Sequence, residues 1–315
     1  MPKDFLHNHP DFPALIGIVA RERNIALALV EKDYWIMHCL YGLQKLGMKF
    51  ELKGGTSLSK GWQLIHRFSE DIDIWIEPPA NINVKKGRNH DKPEHRESRK
   101  KFYDCLAKTI KINGIYDVQR DTIFDDVPRY RSGGIRLFYR NIGEKADSLK
   151  DGVLLEVGFD DVKPNSPKTI SSWAYDYAVG KVQIIDNRAV DVACYHPGYT
   201  LVEKLQTIST KYRQQQESGK FPVNFMRHYY DVYCLLQDKE TIKFIGTTNY
   251  IAHKDWRFRA GDNQVIAENE AFLLRNPATR GLYKSAYGST RTLYYQEQPE
   301  FEAILEKIGE FKEML

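Results

Sequence analysis

Apolar residues recur at helical spacing across 25–46, where Leu29, Ile36, Leu40 and Leu43 share a face and Trp35 and Met37 stand beside it. The pattern predicts a helix that Gly47 ends. Alternation then takes over. Residues 49–53 read as a short strand, Gly54-Gly55 turns the chain, and 56–64 read as a helix with Thr56 as its cap. A second strand is expected over 71–76, where two carboxylates alternate with isoleucines, so that Asp71 and Asp73 project from one side. The polar, punctuated stretch 81–93 reads as a loop, and 94–112 as a basic amphipathic helix. Strand patterns follow over 115–120, over 129–140 with an interruption at Gly133-Gly134, and over 153–159, with shorter pieces near 168–172 and 181–185. After His196-Pro197-Gly198 the texture becomes helical: 199–216, 225–237, stretches from Asn249 onward, and 300–314.

This change of texture predicts an α+β segment over 1–195 and a helical segment over 196–315, and a length of 315 residues suits about two domains. A composition of 42% hydrophobic and 28% charged residues is that of an ordinary globular chain. The net charge of +4 says little on average, but the residues over 85–101 include eight Lys or Arg against three acids. Such a run is either a solvated loop and helix face or a surface for a polyanion such as RNA, with Lys85, Lys86, Arg88, Arg96, Arg99, Lys100 and Lys101 as the candidate contacts. Cys39, Cys105, Cys194 and Cys234 form no CxxC pair, which argues against structural zinc and a disulfide framework and for reduced core residues. The amino terminus lacks an apolar signal-like run and no uncharged stretch nears the ~20 residues of a membrane span, so a cytoplasmic protein without a membrane partner is expected.

The chemistry concentrates between Lys53 and Ile74. A strand leads into Gly54-Gly55-Thr56-Ser57, then a helix, then a strand bearing Asp71 and Asp73. A glycine turn opening a helix can hold phosphate through backbone N–H groups, with Ser57 and Lys60 placed to assist. Two carboxylates on one strand face repel each other and call for a cation; Mg²⁺ or Mn²⁺ held there would bridge to a triphosphate. The plainer alternative makes them exposed residues of an edge strand, yet Ile72, Ile74 and Ile76 make the opposite face apolar. Together the two features read as a nucleotidyltransferase site with an NTP as co-substrate.

The runs Gly54-Gly55-Thr56-Ser57-Leu58-Ser59-Lys60 and Arg67-Phe68-Ser69-Glu70-Asp71-Ile72-Asp73 resemble the AbiEii/AbiGii toxin family of the DNA polymerase β-like nucleotidyltransferase superfamily, whose relatives include the MenT toxins. Glu31-Lys32-Asp33-Tyr34-Trp35 also resembles the family's entry helix, and weaker motifs carry the match to about residue 236. The resemblance implies a mixed, mainly antiparallel sheet with flanking helices, followed by a helical domain closing the active-site cleft. It implies transfer of a nucleoside monophosphate, with Gly54, Gly55, Thr56, Ser57 and Lys60 on the nucleotide and Asp71 and Asp73 on the metal.

Further along, Leu154-Leu155-Glu156-Val157 resembles the strand with a third acid, so that Glu156 would complete a metal trio or take the attacking hydroxyl's proton; Asp160 or Asp161 could serve instead. Leu201-Val202-Glu203-Lys204-Leu205 resembles the lysine motif, which sets Lys204 against the triphosphate. Arg227-His228-Tyr229-Tyr230-Asp231 resembles the Arg-Asp-x-x-Asp motif with His228 in place of its first aspartate. Asp231 would orient Lys204 or support base and sugar; the plainer alternative is an ion pair with Arg227. Tyr283, Tyr287, Tyr294 and Tyr295, interleaved with Arg280, Lys284 and Arg291, suit either packing or stacking on bases. The resemblance implies the 3′ end of tRNA as acceptor and an AbiEi-like antitoxin as partner. The alternatives are a small-molecule or protein hydroxyl, or a decayed site on a binding protein.

Overall fold

The computed structural model describes residues 3–87, 89–143, 149–222 and 224–315. They form two units, Met1–Trp62 with Ser69–Tyr195, and Gln63–Phe68 with His196–Leu315. The short segment Gln63–Phe68 lies within the first 195 residues of the chain but belongs to the second unit.

In the first unit, α1 (Phe12–Arg23) and α2 (Leu27–Lys45) precede β1 (Phe50–Lys53). One helical turn, α3 (Gly54–Thr56), runs directly into a π-helical turn, Ser57–Gly61. Then come β2 (Asp71–Ile76), α4 (Pro93–Thr109), β3 (Ile115–Asp121), β4 (Ser132–Tyr139), β5 (Val153–Gly158), β6 (Asn165–Ile170), α5 (Trp173–Ala178) and β7 (Ala189–Tyr195). The strands make one seven-stranded sheet in the order β3-β4-β5-β2-β1-β7-β6. Pairings β1–β7 and β2–β5 are parallel and the other four antiparallel, so the sheet is mixed and mainly antiparallel. The fold is α+β, as expected.

β2 is an interior strand, and its buried Ile72, Ile74 and Ile76 explain why the alternation was legible. Helix α2 buries Val30, Tyr34, Ile36, Met37, Leu40 and Leu43, and Gly47 takes φ +72° just beyond it. Several expectations change. Thr56 caps nothing; it lies inside the helical turn, and its hydroxyl donates to the backbone carbonyl of Asp71 at 2.6 Å. Gly133-Gly134 does not interrupt β4; a Cβ on Gly133 would lie 2.6 Å from the Tyr103 ring, so the glycine lets α4 approach the strand. Over 181–185 there is no strand beyond a single bridge from Ile184 to Asp4. Helix α1 and strand β7 have no counterpart among the expected elements; β7 contains two alanines and a left-handed Asp191, which weaken its β signal.

The second unit is helical: α6 (Pro197–Ser218), α7 (Arg227–Leu235), α8 (Lys239–Phe244), α9 (Thr248–Arg257), α10 (Glu270–Leu273), α11 (Pro277–Gly288) and α12 (Phe301–Phe311). His196 caps α6 by accepting from the Gly198 amide at 3.1 Å. Leu201, Leu205, Ile208, Tyr229, Val232, Tyr283, Phe301 and Ile304 form its core. The segment Gln63–Phe68 is tied in through its backbone: Phe68 donates to the Leu293 carbonyl at 2.7 Å, and Tyr295 donates to that of His66 at 3.2 Å. Among the described residues no helix is long and apolar enough to cross a membrane.

Candidate active site

The parallel register of β2 on β5 sets Asp73 opposite Glu156 and Asp71 opposite Leu154. Residues directly opposite on neighbouring strands share a face, and so do residues two apart on one strand. Asp71, Asp73 and Glu156 therefore project from the same face of the sheet. Asp160 lies beyond the end of β5, where Lys53 reaches it at 3.4 Å. Among the described residues no group of three or more His, Cys, Asp or Glu side chains stands ready as a metal cage.

On the other side of Asp73, β1 brings Lys53 into register and then turns into Gly54. Gly54 has φ +68°, and a Cβ there would lie 1.9 Å from Asp73 Oδ2. Only glycine fits, because backbone and carboxylate occupy the space of a side chain. Thr56 and Ser57 are buried, and the hydrogen bond from Thr56 to Asp71 fixes the turn to the acid strand. Lys60, expected on phosphate, has its ammonium 2.6 Å from Asp33 and 5.3 Å from the centre of the Trp173 ring. Asp33 is buried and also accepts from the Trp173 amide at 2.8 Å, so it requires a cation.

Asp71 is buried, with one oxygen taken and one bare. Oδ2 meets Lys150 Nζ at 2.5 Å, while Oδ1 is buried without a hydrogen-bond partner. Glu70 beside it accepts from the Lys150 amide at 2.9 Å and from buried Lys32 at 3.2 Å. Lys32 in turn donates to the Lys150 carbonyl at 2.5 Å. Burial pushes the Lys32 ammonium below its ordinary pKa, and the charge of Glu70 opposes that. The neighbouring Glu31 is pushed up to about 7 by burial, against the pull of the Ile142 amide it accepts from at 2.9 Å. Lys32 and Glu70 lie inside motifs visible in the sequence, whereas Lys150 sits in a polar loop that gave no signal.

In the second unit, Asp231 is fully buried and doubly held. Arg67 donates to it from Nε at 2.6 Å and from Nη2 at 2.7 Å, and Lys204 Nζ lies 3.0 Å away. The partners of Asp231 thus include Arg67, from the first motif, and Lys204. Burial pulls the Asp231 carboxyl upward, but Arg67 and Lys204 outweigh it and hold it below the usual range. His228 has Lys204 at 3.3 Å from Nδ1 and Lys211 at 3.4 Å from Nε2. Burial and these lysines, with Arg227 and Arg67, push its pKa well below 6.5, so the ring is neutral where the family motif has a carboxylate. Tyr283 and Tyr287 are packed in the core, and Arg280 pairs with Glu302 at 2.9 Å.

The basic stretch divides. Arg99 is not a surface contact: it is buried and donates to the carbonyls of Lys85, His90 and Arg129 at 2.7–2.9 Å. Its guanidinium staples the loop before α4, because those carbonyls have no strand or helix to pair with. Lys86 and Lys101 are exposed, and Lys85, Arg96 and Lys100 are half-buried; Arg88 lies outside the described residues. Arg96 stands 3.7 Å from Asp91, which also faces Arg129 at 3.2 Å and Arg131 at 3.9 Å, two arginines from outside the stretch.

Two distant structural likenesses accompany this geometry. One is an antigenic nucleotidyltransferase-like protein from Paracoccidioides brasiliensis, at 12% identity over 81% of this chain and 93% of that one, with a TM-score of 0.41. The other is terminal uridylyl transferase 4 from Trypanosoma brucei with bound dUTP, at 15% identity over 71% of this chain and 59% of that one, with a TM-score of 0.28. At such distances they carry no weight for the chemistry. No curated protein matches. The family model described as nucleotidyl transferase AbiEii toxin, type IV TA system, matches residues 37–307, well past the last motif legible near residue 236. The chain belongs to the AbiEii nucleotidyl transferase toxin family.

Proposed function

We propose that this nucleotidyltransferase moves a nucleoside monophosphate from an NTP to the 3′ end of tRNA and releases pyrophosphate, acting as the toxin beside a cognate AbiEi-like antitoxin. The observation that carries the reading is the acid face: Asp71, Asp73 and Glu156 on adjoining strands, with Gly54 pressed against Asp73. The buried, unpartnered Oδ1 of Asp71 fits a hard cation, and Asp73 two residues on supplies a second carboxylate. Mg²⁺ or Mn²⁺ typically keeps waters and substrate oxygens in its shell, so two protein carboxylates suffice where a preformed cage is lacking. Bound there, it would supply positive charge to the triphosphate.

The chain's own residues do the rest. The backbone from Gly54 to Ser57 holds the phosphates through N–H groups. The acceptor oxygen attacks the α-phosphorus as the bond to the bridging oxygen of pyrophosphate breaks, and the acceptor's proton passes to the Glu156 carboxylate. Lys204, oriented by Asp231, stabilises the charge that grows on the leaving pyrophosphate. Lys85, Lys86, Arg96, Lys100 and Lys101 bind the RNA backbone, and Arg129 joins them from just before β4. Incubation with each labelled NTP, Mg²⁺ and total tRNA tests this, and label at the RNA 3′ end is expected. Label on a small molecule or on protein, with none on RNA, would replace the acceptor.

A further inference from the structure

Lys150 sits on the carboxylate where a metal ion is proposed to bind, at the oxygen beside the bare one. Its backbone is clamped on both sides, the amide on Glu70 and the carbonyl on Lys32, so the loop is held without help from its side chain. The ammonium nevertheless extends to Asp71 Oδ2 at 2.5 Å, with the face of Phe124 4.8 Å away. The three carboxylates of the acid face need compensating charge in the metal-free protein, and Lys150 provides it for Asp71. The side chain is 28% exposed, so the ammonium has a way out toward solvent while the backbone stays fixed.

We propose that Lys150 is a displaceable counter-ion: its ammonium neutralises Asp71 in the metal-free protein and leaves when a divalent cation binds. This rests on reading Asp71 as a metal ligand. The physical reason is that a buried carboxylate on an interior strand cannot favourably hold a monovalent and a divalent cation together, since the two repel strongly in surroundings of low dielectric. The resident ammonium therefore lowers metal affinity in the resting protein and keeps the acid strand folded without metal.

Titration of Mn²⁺ into the full-length protein, followed by its EPR signal with no nucleotide present, tests the idea. The K150M variant should bind Mn²⁺ at least tenfold more tightly than wild type, and K150R should stay weak because it keeps the charge. Without metal, K150M should melt at a lower temperature than wild type and gain more from added Mn²⁺. Equal or weaker binding by K150M would overturn the proposal and leave Lys150 a structural residue; K150Q serves if K150M does not fold. The companion variant K150M/D71N separates the two ideas. If it retains the Mn²⁺ affinity of K150M, the assignment of Asp71 as ligand fails, whatever Lys150 does.

Discussion

At the scale of single residues, the most demanding position is Gly54. Alanine there must adopt φ +68° and place its Cβ on Asp73 Oδ2, so either the turn or the acid must move. The left-handed backbone alone costs about 1–2 kcal/mol. Gly54→Ala should lower nucleotide transfer by more than 100-fold, while circular dichroism still reports a folded chain. Asp71→Ala and Asp73→Ala should abolish transfer; substantial activity in Asp71→Ala with metal present would falsify the acid assignment. Lys204→Met should reduce kcat more than it raises KM, since its charge matters most as pyrophosphate leaves. An equal loss in both would return Lys204 to a structural partner of Asp231. The acids and the glycine were legible because strand alternation and a turn leave strong local marks. Arg67 on Asp231 and Lys150 on Asp71 join residues 164 and 79 positions apart, and no local pattern encodes such a pair.

At the scale of elements, α2 carries more than a hydrophobic stripe. His38 on this helix is buried, with Nε2 toward the Asn113 carbonyl at 2.9 Å and Nδ1 toward the Asn187 amide at 2.9 Å. That arrangement fits the neutral ring with its hydrogen on Nε2. Burial, with His7 adding to it, pushes the pKa from 6.5 down to about 4. The unfolded chain therefore binds a proton below pH 6.5 that the folded chain refuses until about pH 4. This stability is fully present above 6.5 and is lost as pH falls through that window. The gap between 6.5 and about 4 corresponds to roughly 3 kcal/mol. Urea unfolding at pH 7 and pH 4.5 should show the decline, and His38→Asn should flatten it. An unchanged slope in that variant would assign the decline to other groups. The stripe of α2 was readable from helical spacing, but its buried Glu31, Lys32 and Asp33 look like a solvated face until their partners are known. Similarly, β7 was hidden because pairing with β1 and β6 overrides its weak propensity.

At the scale of the whole molecule, the proposed RNA binding follows from charge density. If the basic residues track a backbone, affinity should fall steeply with salt, and reversing Lys86 and Lys101 should reduce the logarithmic slope by roughly one for each phosphate left unneutralised. Arg99→Glu should behave differently, losing fold stability, because three carbonyls would lose their donor. A salt-independent affinity would remove the polyanion reading. The allegiance of Gln63–Phe68 was not legible in the sequence, since six residues carry too little pattern to declare a neighbour.

That six-residue excursion makes the polypeptide non-modular. The chain leaves its first unit, gives Gln63–Phe68 to the second, and returns at Ser69, just before the acid strand begins at Asp71. A gene fragment starting at residue 196 would therefore keep Lys204 beside Asp231 but lose Arg67, whose guanidinium makes two hydrogen bonds to that buried carboxylate. Such a fragment should be unfolded in isolation and should gain order when a peptide spanning 63–68 is supplied, as circular dichroism would report. Any lineage recombining such chains at the apparent boundary would inherit the same defect, so the two halves are expected to travel through evolution as a single indivisible gene.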